Sequence, residues 1–209
     1  MDGGGVSGTD LGTAATTKIK TSDPNPVAGF VPFNVKHVAL TDPFTNRVVR
    51  YVAVAYAKRD GTTDDELAGA GLGYVNVFKP DGTFVKRLVN YNPDPAHPNL
   101  LNAPWGMATA HGKFGEHARY LLVGNFGDGT IHRFSLRDLS GHPLGALKNG
   151  ESHDLVFDGL WGLHFGCRPN APGHDDDDQD DVNENSVALY FAAGIGDEEH
   201  GLFGRIIAR

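Results

Sequence analysis

Apolar positions along this chain fall in short runs of about five or six, broken by Gly, Pro, Asn and Asp, and no stretch holds the 3.6-residue period of a long helix. Runs of that length, rich in Val, Phe, Tyr and Leu, predict β-strands joined by turns. The runs also recur in a fixed order, three times over. The first pass reads Val31–Val35, Tyr51–Tyr56, Gly73–Phe78 and Thr83–Leu88. The second reads Ala103–Met107, Tyr120–Phe126, Gly129–Phe134 and Leu144–Leu147. The third reads Gly159–Leu163, Val187–Phe191 and Gly201–Ile206, with no fourth run.

Within each pass the second run is apolar almost throughout, as a strand covered by neighbours on both faces must be. The third run of the first pass alternates, Tyr74, Asn76 and Phe78 against Val75 and Val77, which places it nearer an edge. Lys79-Pro80-Asp81-Gly82 is a turn by mechanism: Pro presets φ and Gly takes a positive one. Four-stranded antiparallel units repeated in sequence predict an all-β fold, a partial β-propeller of about three blades, near residues 31–90, 103–148 and 159–209. A β-sandwich spaces its strands similarly but has no reason to repeat this order. The propeller unit spans 18–209 behind a flexible Gly/Ser/Thr/Ala-rich lead-in over 1–17, and Thr17–Lys20 is a candidate outer strand. Propellers close with ~4 to 8 blades. Three blades therefore predict self-association, another chain, or a longer protein to complete the ring.

Composition adds exclusions. The 28 Gly and 12 Pro suit turn-rich β structure better than helix. The formal charge of −8 is concentrated in one place, because seven carboxylates and no Lys or Arg lie between Asp175 and Glu184, leaving the rest nearly neutral. No basic stripe is present to neutralise phosphates, which argues against nucleic acid as a partner. No run approaches the ~18 apolar residues of a membrane span. The start has neither the charged nor the apolar region of a signal peptide. The single cysteine, Cys167, excludes an internal disulfide.

Up-and-down blades send alternate loops to opposite rims. The acidic run, Thr41–Arg47 and His111–Arg119 fall on one rim. The other collects the second-to-third loops and the blade crossings, and with them the candidate ligand-binding residues Asn34, Asn102, Trp105, Asn125, Asp128, Trp161, Asp197 and His200. Asn125 and Asp128 sit among glycines, where turn chemistry is the competing role. Trp105 and Trp161 open equivalent strands, where packing between blades competes with stacking on a ligand. Asn34, Asn125 and Asp197 come from three passes and form a candidate cation set, Ca²⁺ in type. His37, His132 and His164 fall inside strands without zinc spacing. The acidic run lacks the interleaving and turn glycine of an EF-hand loop. No nucleophile elbow, phosphate-binding loop, dinucleotide fingerprint or zinc-protease motif occurs.

The stretches Ala28–Val35, Leu67–Phe78, Leu101–Gly106, Leu122–Ile131, Asp158–Leu163 and Glu199–Gly204 resemble the C-terminal portion of an uncharacterised bacterial β-propeller family, NHL-like, with some members carrying a PEP-CTERM sorting signal. That resemblance implies an extracytoplasmic setting and a longer parent chain, and no reaction. Two functions are expected. One is a noncatalytic module without a cofactor, binding a small molecule or protein on the polar rim. The other is a metal-dependent enzyme of the lactonase or lyase kind, its Ca²⁺ held by Asn34, Asn125 and Asp197.

Overall fold

The computed structural model describes residues 23–41, 47–63, 65–92, 94, 96–110, 120–166 and 188–208. The lead-in, Thr17–Lys20, the acidic run, Cys167 and most of the two loops Thr41–Arg47 and His111–Arg119 lie outside them. The described residues hold eleven strands, one 3-10 turn at Arg137–Leu139 and no α-helix. Blade 1 is β1 (Phe30–Thr41), β2 (Val48–Lys58), β3 (Gly73–Phe78) and β4 (Phe84–Val89). Blade 2 is β5 (Pro104–Ala110), β6 (Tyr120–Asn125), β7 (Ile131–Ser135) and β8 (Pro143–Ala146). Blade 3 has β9 (Leu160–Phe165), β10 (Ala188–Ile195) and β11 (His200–Ile207). Every pairing is antiparallel between consecutive strands, so each sheet is a meander.

Strand alternation assigns each blade two faces, and the faces of adjacent blades form the cores. Val38, Ala53, Val75 and Val77 of blade 1 meet Met107, Leu121, Val123 and Phe134 of blade 2. Ala108, Ala110 and Leu122 of blade 2 meet Leu160, Leu163, Leu189 and Phe191 of blade 3. The contacts run along the first strands, with β5 packed on β1 and β9 on β5. A glycine makes the second approach possible: a Cβ on Gly106 would stand 2.6 Å from the carbonyl oxygen of Trp161.

The third strand of blade 1 departs from the edge-like reading of its alternation, since all six residues of β3 are buried. The cause is the stretch leading into β1, joined by the residues that follow β4. Val27, Phe30 and Tyr91 pack over Tyr56, Tyr74 and Phe78 on the blade face turned away from blade 2. Asp23 anchors this cover, accepting from the Arg87 guanidinium at 2.8 Å and from the amide of the fully buried Asn76 at 2.7 Å. Arg87 stands 4.5 Å over the Tyr74 ring, which stacks on Tyr56 at 4.5 Å. Burial, joined by the Tyr56 and Asp23 charges, pushes the Tyr74 phenol up to about 12. The turn after β3 forms as its residues dictate, with Gly82 at φ 87° donating its N–H to the Lys79 carbonyl at 2.9 Å.

Candidate functional site

Each blade's first strand is bulged at the same place. Pairing skips Phe33 in β1, passes from Pro104 to Met107 across Trp105 and Gly106 in β5, and skips Trp161 in β9. A bulge leaves its extra residue out of the ladder and re-aims its side chain. Three aromatic side chains are thus presented from equivalent positions, all half-buried. The Phe33 and Trp105 rings lie 5.3 Å apart across two blades, and Phe126, from the turn after β6, lies 6.2 Å from Trp105. Trp161 donates its indole N–H to Oε1 of Glu198, in the turn after β10, at 3.2 Å.

The polar residues divide by what they touch. Asn34 donates its side-chain amide to the carbonyl of Trp105 at 2.8 Å, while its own oxygen accepts from the N–H of Val35 at 2.7 Å. Asn125 is fully buried. Its amide donates to the Leu100 carbonyl at 2.9 Å and to the Thr130 hydroxyl at 3.2 Å, and its oxygen accepts from the N–H of Asn102 at 3.1 Å. Asn102 accepts from the N–H of Gly69 at 2.6 Å, joining the crossing between blades 1 and 2 to the long β2–β3 loop. Asp128 is exposed and accepts from the N–H and hydroxyl of Thr130. Asp158 accepts from the N–H of Gly196 at 3.1 Å, so the next crossing is tied to the blade 3 turn in the same manner. The sorting of loops between rims is therefore visible in the bonds themselves.

Asp197, Glu198 and Glu199 are exposed in the blade 3 turn, and His200 is exposed where β11 begins, opposite Ile195. Asp197 and Glu198 both take left-handed backbone, at φ 51° and 66°, a conformation that costs a non-glycine residue about 1–2 kcal/mol. Glu66, from the β2–β3 loop, is half-buried. Burial raises its carboxyl, and the charges of Glu198 and Asp65 raise it further. Glu198 thus stands on the Trp161 indole, and Glu66 of blade 1 is near enough to feel its charge. Glu66 does not stand out in the sequence, nor does Phe33 or Phe126 as a site residue, and Glu198 stands out only as part of the loose acidic cluster Asp197–His200. The repeated Pro32-Phe33, Pro104-Trp105 and Leu160-Trp161 pairs are the signal that marks the ring series.

Among the described residues no three His, Cys, Asp or Glu side chains group as metal ligands. Of the candidate cation donors, Asn34 and Asn125 each have a side-chain oxygen that accepts a main-chain N–H, and Asp197 stands at the turn tip. His132, inside β7, is held below the usual imidazole range by burial, which outweighs the pull of Asp128 and Asp154. No described helix is long and apolar enough to cross a membrane.

Comparison with known proteins changes the lineage expected from sequence. An uncharacterized protein of Acanthamoeba polyphaga mimivirus is 32% identical over 187 residues, 89% of this chain and 38% of its own length. A second uncharacterized mimivirus protein is 29% identical over 187 residues, 89% of this chain and 40% of its own length. A third is 37% identical over 107 residues, 51% of this chain and 18% of its own length. The chain thus spans well under half the length of the curated relatives it matches. No family model matches it, and no solved structure does. The relatives are viral proteins, which overturns the resemblance to a bacterial propeller family. The NHL-like and extracytoplasmic expectations rested on that resemblance and fall with it.

Proposed function

We propose that this chain is a noncatalytic binding module that takes a positively charged ligand or partner on the rim where the bulged strands begin. The observation that carries the reading is the placement of Phe33, Trp105 and Trp161 at three equivalent bulges, half-exposed, with the Glu198 carboxylate on the Trp161 indole and Glu66 within its field. An aromatic face attracts a cation through its quadrupole, by about 0.5–1 kcal/mol in the open and ~2 when desolvated. Carboxylates at the same mouth add charge complementarity. The rim also carries the carboxylates of Asp128, Asp158, Asp197 and Glu199, and Arg59, paired with Glu66 by a β-bridge in the β2–β3 loop, is a described cation beside them.

The chain has only two tryptophans, both in the ring series, so intrinsic fluorescence reports the rim directly. Titration with benzyltrimethylammonium and with a short lysine-rich peptide is expected to change the emission saturably, and added salt is expected to weaken the response. Glu198→Gln is expected to raise the apparent Kd. A response that never saturates, or one indifferent to both salt and Glu198→Gln, contradicts the reading. Lactone hydrolysis abolished by a chelator and restored by Ca²⁺ assigns the rim to an enzyme instead.

A further inference from the structure

We infer that the face of blade 3 turned away from blade 2 is a docking surface for a further blade of the same construction, received first strand foremost. The way blade 2 receives blade 3 supplies the template. Gly106 on β5 and Gly124 on β6 leave a furrow in the face of blade 2, and β9 lies in it. A Cβ on Gly106 would stand 2.6 Å from the Trp161 carbonyl oxygen, and one on Gly124 2.8 Å from a Leu160 methyl. Beside the furrow Tyr120 is buried.

Blade 3 repeats these positions. Gly162 follows Trp161 as Gly106 follows Trp105, Gly194 closes its strand before the turn as Gly124 does, and Tyr190 stands four residues before Gly194 as Tyr120 stands before Gly124. Here nothing among the described residues fills the furrow from outside blade 3. A Cβ on Gly162 would meet only the Ala192 methyl, at 3.8 Å, and the ring of Trp161 lies over Gly194 where Leu160 of the following blade covers Gly124. Tyr190 is half-exposed and stacks on Phe203 at 5.8 Å. Phe203 is 75% exposed and Ile207, on the same face, 52%. One glycine kept clear, with a second under the blade's own Trp161 ring, makes beside the stacked aromatic pair a surface of the kind that the described fold already covers once.

The occupant is a blade and not a small ligand, because the furrow runs along the strands and continues the order of the two interfaces already present. The relatives supply the length for it: the matched stretch is 38% and 40% of two of them, so more than half of each lies outside the match. The opposite end of the arc is partly covered, since Asp23, Val27 and Phe30 lie over the outer strands of blade 1 while Val35 and Val48 stay exposed.

The test compares one substitution in two settings. In the chain alone Phe203 is solvent-facing, so Phe203→Asp and Phe203→Leu should both melt with the parent, and light scattering should give a monomer. In a hybrid that carries this chain's matched stretch in place of its counterpart in the 32% identical mimivirus protein, Phe203→Asp should lower the melting temperature by several degrees and Phe203→Leu by much less. Equal effects in the two settings overturn the proposal, as does a hybrid that does not fold, because a shared blade interface is what would hold the exchanged stretch. A dimer of the chain alone that Phe203→Asp splits gives the face to a second copy and overturns it equally.

Discussion

The side-chain amide of Asn34 donates to the main-chain carbonyl of Trp105 at 2.8 Å, tying two bulges that lie 71 residues apart in sequence. Bulged strands leave carbonyls outside the ladder, and a partly buried one needs a partner. Asn34→Ala is therefore expected to cost about 0.5–1.5 kcal/mol. The fully buried Asn125 stands to lose more on truncation to Ala, because the Leu100 carbonyl and the Asn102 N–H would both be left without it. About 2–3 kcal/mol is expected there, from unsatisfied buried groups. Urea unfolding followed by tryptophan fluorescence measures both, and the order of the two losses is the decisive result.

Gly106 decides how closely blades 2 and 3 approach. Gly106→Val places a branched side chain where 2.6 Å separates an added Cβ from the Trp161 carbonyl, so the blades must part. Overpacking of this kind costs about 1–3 kcal/mol. Gly150→Ala is the control, because an added Cβ there meets nothing within 4 Å. Thermal unfolding should show a clear loss for the first and almost none for the second.

His132 sets a pH dependence. Burial holds its folded pKa below the ordinary 6.5, so the unfolded chain binds the proton more readily. The unfolded state carries more protons between the depressed pKa and 6.5, and stability must fall as pH is lowered through that window. Among the described residues its buried Nδ1 has no hydrogen-bond partner, which leaves little to lose in an apolar replacement. Urea midpoints from pH 7.5 down to 5 should decline for the parent chain, and less steeply for His132→Phe.

Strand order is legible in sequence because each blade repeats the same succession of apolar runs and turn residues, as in Tyr120–Asn125 and Ala188–Ile195. Bulges are not legible, since Phe33, Trp105 and Trp161 read alike in a regular strand and only pairing reveals the extra residue. The cover over blade 1 is hidden for another reason: Asp23-Pro24-Asn25-Pro26 has the composition of a loop, and its role depends on Arg87, far along the chain. Asn125 reads as a turn residue and is one, but its complete burial comes from the crossing strand that brings Leu100 and Asn102 to it. The Glu66 and Glu198 carboxylates share no local pattern at all. Lineage is the least legible property, because Gly, Asn and Trp at strand ends answer to the mechanics of stacked sheets in any propeller, bacterial or viral.

The anchoring of Asp23 on Arg87 and Asn76 gives the arc a direction. One end is partly clad by its own chain while the other shows bare rings, so the arc meets its neighbours with two unlike ends. Endless filaments need two complementary ends.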